Sequence, residues 1–156
     1  MEVTRAKQED MPKILELLNE VLEIHHKIRP DIFMPGKTKY TNEMLKRMIN
    51  DDNNPIYVAR ENDEVLGYAF CELKEVPFST TMVPFKSLFI DDLCVDQNVR
   101  SKGVGKALFE HVKKEAKRLG CYEVTLNVWE GNDSAIAFYK KMDMKVKEYQ
   151  MEYILD

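Results

Sequence analysis

A glycine-containing stretch between two apolar segments constrains the fold of this chain more than any other feature. Residues 97–106 read Gln-Asn-Val-Arg-Ser-Lys-Gly-Val-Gly-Lys. They follow the apolar run Leu88 to Val95, which is typical of a buried strand. They lead into Val104 to Leu119, whose apolar spacing predicts a helix. The predicted order is therefore strand, loop and helix.

This loop has the chemistry of an anion-binding site. The free backbone N–H groups of a first helical turn point into such a loop, and the positive end of the helix dipole favours an anion. Gly103 and Gly105 have no Cβ, so a phosphate can come close to the main chain. Arg100, Lys102 and Lys106 add positive charge. We interpret the loop as a pyrophosphate-binding site.

Two better-known nucleotide-binding loops do not fit this stretch. A P-loop requires glycine five residues before its Gly-Lys pair and Ser or Thr after it, but this chain has Arg100 and Ala107 there. A dinucleotide fingerprint requires a third Gly or Ala at the position of Leu108. Neither pattern explains the loop.

The stretch does fit the pattern Q/R-x-x-G-x-G/A, with Arg100, Gly103 and Gly105 at the defined positions. Together with the preceding segment Ile90 to Asp96, it resembles the acyl-CoA-binding signature of the GCN5-related N-acetyltransferase (GNAT) family. Residues 127–142, which begin Asn-Val-Trp-Glu-Gly-Asn, resemble a second motif of the same family. The resemblance implies an α/β fold with a central, mostly antiparallel twisted sheet, a splayed strand pair and about four flanking helices.

The order of predicted elements agrees with that family along the whole chain, and we expect one domain over residues 1–156. Periodicity and turn residues predict strands at Val3 to Lys7, Ile56 to Arg60, Val65 to Val76, Lys86 to Val95, Tyr122 to Val128 and Val146 to Ile154. They predict helices from Pro12 to Arg29, from Thr41 or Asn42 to Asn50, from Val104 to Leu119 and from Ser134 to Met142. Gly67 is expected to mark a bulge, and Pro77 to Pro84 a surface loop.

Composition and charge argue against several other classes of protein. Hydrophobic residues make up 44% and charged residues 32%, which is typical of a soluble globular protein. No apolar run approaches the roughly 20 residues of a membrane helix. A net charge of -4 argues against a nucleic-acid binder. We expect a cytoplasmic protein with neither a membrane nor a nucleic-acid partner.

The cysteines do not indicate a metal site or a disulfide framework. Cys71, Cys94 and Cys121 lack metal-ligand spacing, and an odd number argues against systematic pairing. We expect reduced thiols and no metal. A covalent acetyl intermediate on Cys94 is a minor alternative.

The resemblance implies which residues hold the donor, acetyl-CoA. The backbone of Leu93, Cys94 and Val95 would bind the pantetheine arm as an added strand. The residues around the pyrophosphate would be Arg100, Ser101, Lys102, Gly103, Val104, Gly105 and Lys106. Asn132 would contact the pantetheine or its neighbouring backbone, and capping of the following helix is the alternative.

The resemblance also implies catalytic residues. Tyr139 matches the family's usual general acid, which protonates the departing CoA thiolate; the alternative is a tyrosine packed beside Phe138. Asp91 lies four residues before Val95, where several members carry a glutamate base. Strand alternation would place Asp91 with Leu93 and Val95, and Asp92 with Ile90 and Cys94. We favour Asp91 as the base and keep Asp92 as a candidate; the alternative is that both acids are structural or only recognise a cationic substrate.

The acceptor is less defined by sequence. Phe33, in the proline-flanked connection after the first helix, and His26 are candidates to line its pocket together with Asp91; simple core packing is the alternative. The implied reaction is direct acetyl transfer from acetyl-CoA to a primary amine in a ternary complex. Small amines such as polyamines or aminoglycosides and protein amines are all open, a homodimer is possible, and a non-catalytic acyl-CoA-binding domain is the alternative function.

Overall fold

The computed structural model describes residues 1–75, 80–100 and 102–156. That part of the chain contains five strands: β1 (Glu2–Arg5), β2 (Ile56–Glu61), β3 (Glu64–Glu75), β4 (Lys86–Val95) and β5 (Glu123–Leu126). It contains four α-helices: α1 (Met11–Ile28), α2 (Asn42–Ile49), α3 (Val104–Arg118) and α4 (Asp133–Lys141). Short 3-10 turns at Gln8–Asp10 and Gln97–Val99 precede α1 and α3.

The strands form one mixed sheet in the order β1-β2-β3-β4-β5. The first four are antiparallel neighbours, and β5 pairs with β4 in parallel. The parallel ladder joins Ser87 through Ile90 to Glu123 through Leu126 and then stops, although β4 continues to Val95. The predicted α/β fold class, with its splayed strand pair, is confirmed.

The sheet carries an apolar cluster on each face because three helices present apolar residues at helical spacing. Under α1 and α2 lie Ile14, Leu17, Leu18 and Leu45, which are almost completely buried. On the opposite face, α3 packs through Val104, Leu108, Phe109 and Val112. Helices α1 and α3 therefore lie on opposite faces of the sheet, on either side of β4 where it separates from β5.

Several local signals act as the sequence predicts. The Thr41 hydroxyl caps α2 by accepting a hydrogen bond from the backbone N–H of Met44 at 3.1 Å. Gly120, after α3, has a φ of +77°. The β2–β3 register shifts between Ala59 and Arg60, opposite Gly67, where a bulge was expected. A Cβ on Gly67 would lie 2.7 Å from the Cys94 carbonyl oxygen, so this position also needs glycine for close packing.

The prediction of a final strand from Val146 to Ile154 is wrong. Residues 145–156 belong to no strand or helix. Their alternating apolar pattern suits a strand, but a strand also requires a neighbour that accepts and donates backbone hydrogen bonds. The predicted end of β3 at Val76 lies outside the described residues. No helix in the described ranges is long and apolar enough to cross a membrane.

Candidate active site

A bulge in β4 determines where the two adjacent acids point. Phe70 pairs with Asp92 and Cys71 pairs with Ile90, so Asp91 has no register partner on β3. The extra residue shifts the alternation, which places Ile90 in the cluster under α3 and Asp92 beside Tyr68 in the cluster under α1. The prediction that Asp92 shares a face with Ile90 is therefore wrong. Simple strand alternation fails here because it assumes a regular ladder.

Asp92 is half-buried and has one strong hydrogen-bond donor. The Tyr68 hydroxyl donates to Asp92 Oδ2 at 2.7 Å. Burial raises the pKa of Asp92 to about 6, although the Tyr68 hydrogen bond acts in the opposite direction. A carboxylate with a pKa near 6 is ionised at neutral pH and still accepts a proton more readily than an ordinary aspartate. This residue has the properties of a general base.

Asp91 lies in a different environment. It is exposed, forms an ion pair with Lys39 at 2.7 Å and accepts a hydrogen bond from the Tyr40 hydroxyl at 3.0 Å. Tyr40 stacks on Phe70 with a 5.4 Å centroid separation. Asp91, Tyr40, Phe70 and Glu72 are among the residues that line a cavity of about 120 Å³. An acid already holding an ammonium group at this cavity is better suited to recognising a cation than to removing a proton.

Tyr139 on α4 approaches the same carboxylate. Burial raises the pKa of its hydroxyl, and the nearby negative charge of Asp92 raises that pKa further. The phenol therefore keeps its proton at neutral pH, as a general acid must. The neighbouring residue on α4, Phe138, packs directly against Gly105 of α3: a Cβ on Gly105 would lie 3.1 Å from the Phe138 ring. Gly105 thus allows α4 to pack against the first turn of α3, a packing role that the motif alone did not reveal.

The predicted anion loop has exposed cations and backbone amides that lack helical acceptors. Gly103 begins α3 with a φ of +77°, and the first helical hydrogen bond runs from Ala107 N–H to the Gly103 carbonyl at 3.0 Å. The amides of residues 104–106 therefore lack helical acceptors. Arg100, Lys102 and Lys106 are exposed, and none forms an ion pair with another residue in the described ranges. Val104 is buried, so only its backbone can serve a ligand, and Ser101 lies outside the described residues.

A buried ion pair supports this loop and was not predicted. Asp96 is 4% exposed and binds Lys13 of α1 at 2.6 Å. Its other oxygen accepts a hydrogen bond from the Asn98 N–H at 2.9 Å, which closes the turn before the loop. The Lys13 ammonium holds the pKa of Asp96 below its usual range. The Asp-x-Asn spacing was a signal for the turn, but the Lys13 contact depends on how α1 crosses the sheet.

The segment Leu93 to Val95 lies beyond the β5 ladder, with β3 on its other side. The Cys94 thiol lies in the core, with its sulfur 3.7 Å from the Leu17 carbonyl oxygen. Burial raises the pKa of this thiol to about 12, which does not favour a nucleophilic thiolate. Asn132 begins α4 but makes no side-chain capping hydrogen bond, so capping does not occupy its amide.

An aromatic cluster stands where the acceptor wall was predicted. Phe33 lies 5.1 Å from the His25 ring and 5.4 Å from the Trp129 ring, measured between centroids. His26 donates its Nδ1–H to the Phe33 carbonyl at 2.7 Å, so this side chain orients the loop. The Arg29 guanidinium lies over Trp129 at 5.7 Å. Trp129 was visible within the second motif and His25 within the histidine pair, but Arg29 was not singled out.

Comparison with known proteins agrees with this geometry. The model of the acetyltransferase (GNAT) family matches residues 18–144. A peptidyl-lysine N-acetyltransferase of Salmonella typhimurium is 26% identical over 92% of this chain and 83% of its own length. An uncharacterized N-acetyltransferase of Methanocaldococcus jannaschii is 26% identical over 84% of this chain, which spans only 58% of that relative. A crystal structure of a mutant Bacillus halodurans protein superimposes with a TM-score of 0.94, 28% identity and 99% coverage of both chains.

Proposed function

Because this chain belongs to the acetyltransferase (GNAT) family, we propose that it transfers the acetyl group of acetyl-CoA to a primary amine by direct attack in a ternary complex. The observation that carries the proposal is the grouping of Asp92, Tyr68 and Tyr139 at the point where β4 separates from β5. A base, a phenolic acid and an open strand edge are the parts that this reaction requires.

The donor is proposed to lie along the opened edge of β4. An extended amide-bearing arm can hydrogen-bond to backbone groups of residues 93–95 that the short β5 leaves without a partner. Its pyrophosphate would meet the free amides that follow Gly103, with Arg100, Lys102 and Lys106 supplying charge. The neutral, buried Cys94 thiol argues against an acetyl-cysteine intermediate.

Asp92 then removes a proton from the acceptor ammonium, directly or through water, as the amine nitrogen attacks the thioester carbonyl. A C–N bond forms and the C–S bond breaks. Tyr139 gives its proton to the leaving sulfur and recovers one from solvent. Asp92 releases the proton it took to solvent, and the acylated nitrogen also loses its second proton to solvent, which leaves a neutral amide, free CoA thiol and one released proton. The raised pKa values of Asp92 and Tyr139 suit these opposite tasks.

The acceptor is proposed to carry positive charge. Asp91 and Glu72 line the cavity beside Tyr40, and carboxylates in such a site favour an ammonium group. Small amines, including polyamines and aminoglycosides, meet this requirement, and so does a protein lysine. The name of the Salmonella relative supports the last of these.

An acceptor panel tests the proposal and separates it from the alternative of a non-catalytic acyl-CoA-binding domain. Release of CoA thiol is followed with diamines, aminoglycosides and lysine-containing peptides, while acetyl-CoA binding is measured by calorimetry. The proposal predicts thiol release above the no-acceptor background for at least one cationic class. Binding of acetyl-CoA without any acceptor-dependent thiol release would favour the regulatory alternative.

A further inference from the structure

Lys39 occupies the cation-binding position of the proposed acceptor site. Its ammonium nitrogen lies 2.7 Å from Asp91 Oδ2. Asp91 also accepts a hydrogen bond from the Tyr40 hydroxyl and lines the acceptor cavity together with Tyr40 and Glu72. A primary amine of the chain itself therefore stands where the ammonium group of an acceptor would bind.

The Lys39 ammonium also lies close to the proposed base. Asp92 follows Asp91 directly in β4. Burial raises the pKa of Asp92, whereas the Tyr68 hydrogen bond and the positive charge of Lys39 lower it. On α1, burial lowers the pKa of His25, and the Lys39 charge lowers it further. The ammonium group is therefore within electrostatic reach of both the base on β4 and the helix that covers this face of the sheet.

The position of Lys39 in the chain leaves its side chain free to move. Lys39 belongs to neither a helix nor a strand, and its side chain is 41% exposed. Lysine carries its amine on a flexible four-carbon stem, so the nitrogen can leave Asp91 while the sheet stays in place. A group tethered in this way has an effective concentration on the order of millimolar. Lys39 can therefore compete with a dilute external amine.

A second lysine near the cavity is less well placed. Lys74 of β3 lies 4.0 Å from Glu72, another acid of the cavity. However, its ammonium lies over the Phe89 ring, 4.0 Å from the centroid, and its backbone pairs with Ser87 of β4. The strand and the ring contact hold Lys74 on the sheet, which favours Lys39 as the reacting amine.

We infer, on the basis of the proposed function, that Lys39 is acetylated by its own active site when no external amine is bound. Its ammonium leaves Asp91 and gives one proton to Asp92, and the neutral nitrogen attacks the thioester carbonyl. A C–N bond forms, the C–S bond breaks, and Tyr139 protonates the leaving sulfur. The acylated nitrogen loses its second proton to solvent, so the products are N-acetyl-lysine, free CoA thiol and one proton.

Mass spectrometry of the intact protein after incubation with acetyl-CoA alone tests the inference, and peptide mapping locates the label. We expect one acetyl group at Lys39, formed with a rate constant that is independent of protein concentration and reduced by an added diamine, which competes for Asp91. Lys39→Arg should abolish this label, and Lys74→Arg is the matched control that should keep it. Absence of label at Lys39, or a rate constant that rises with protein concentration, would contradict the inference.

Asp92→Asn separates catalysis from the uncatalysed reaction of a surface lysine with acetyl-CoA. It should slow labelling of Lys39 by about 10²-fold or more, and equal labelling in this variant and the wild type would overturn the inference. The acceptor panel gives an independent result. Thiol release with external amines but no label at Lys39 would overturn this inference alone. Acetyl-CoA binding with neither thiol release nor label would overturn the proposed function as well.

Lys39→Gln tests the consequence for acceptor binding. Acetylation removes the lysine charge, which frees Asp91 for an external ammonium group, and glutamine is similarly neutral. KM for a cationic acceptor should therefore fall by about threefold, as expected for loss of an exposed ion pair. Lys113→Gln is the control, because Lys113 pairs with Glu110 on α3, and it should keep the wild-type KM. An unchanged or higher KM in Lys39→Gln would contradict the release of Asp91 by acetylation.

Discussion

At the scale of single residues, the two adjacent acids have separate environments that their order in the sequence did not reveal. Asp92 contacts Tyr68 and has a pKa raised by burial, whereas Asp91 is exposed and paired with Lys39. The preference for Asp91 as the base came from its position in the motif. A one-residue bulge exchanges the directions of neighbouring side chains, and nothing in two consecutive aspartates signals which is the extra residue.

Tyr139→Phe tests the proposed acid, because it removes only the hydroxyl. We expect kcat to fall by about 10²–10⁴-fold, with acetyl-CoA affinity changed by less than about threefold. Thiol release measures the turnover, and calorimetry on the same preparation measures the affinity for acetyl-CoA. Tyr122→Phe is the control, because Tyr122 is 79% exposed. It should keep both the wild-type turnover and the wild-type affinity for acetyl-CoA. Unchanged turnover in Tyr139→Phe would refute the role.

Asp91→Asn tests cation recognition. Removing this charge from the cavity should raise KM for a cationic acceptor by about tenfold, equivalent to about 1.4 kcal/mol, and leave kcat within about threefold. Initial rates over a range of acceptor concentrations give both quantities. A large loss of kcat with unchanged KM would instead identify Asp91 as the base and contradict our assignment.

At the scale of elements, caps and glycines were predictable, and contacts between distant elements were not. Thr41, Gly103 and Gly120 act through their own neighbours in sequence, so their signals are local. Gly67 and Gly105 are needed because another element packs close to them, against the Cys94 carbonyl and the Phe138 ring. The Lys13–Asp96 ion pair likewise joins α1 to the loop before α3. Periodicity identifies elements but does not specify which of them touch.

Lys13→Met tests whether that ion pair positions the anion loop. It leaves the buried Asp96 carboxylate without its cation, which should lower the free energy of unfolding by about 1–3 kcal/mol and weaken acetyl-CoA binding by about tenfold. Thermal melts and calorimetry measure the two effects. Lys113→Met is the matched control: Lys113 pairs with Glu110 at 3.2 Å on the exposed surface, and its loss should cost less than about 1 kcal/mol. Equal effects in both variants would show that the Asp96 contact has no special role.

At the scale of the whole molecule, the sequence predicted the family and the fold class, and both are confirmed. The predicted final strand, Val146 to Ile154, is where that prediction failed, because its apolar alternation requires a pairing partner that local sequence cannot supply. The acceptor cavity was equally hard to predict, since it joins Tyr40, the β3 residues Phe70 and Glu72, and Asp91 of β4, which come from three separate parts of the chain. The opened strand pair was predictable only through the resemblance to a family, because two motifs in order imply a shared geometry.

The pH dependence of kcat at saturating acetyl-CoA and acceptor tests the central claim, that Asp92 is the base, most directly. Because burial raises the pKa of Asp92 to about 6, the carboxylate becomes protonated below that pH, and kcat should fall about tenfold for each further pH unit. In Asp92→Asn we expect a kcat lower by about 10²-fold or more and no such acid limb, whereas Asp91→Asn should retain it. An acid limb that survives in Asp92→Asn and disappears in Asp91→Asn would contradict the account.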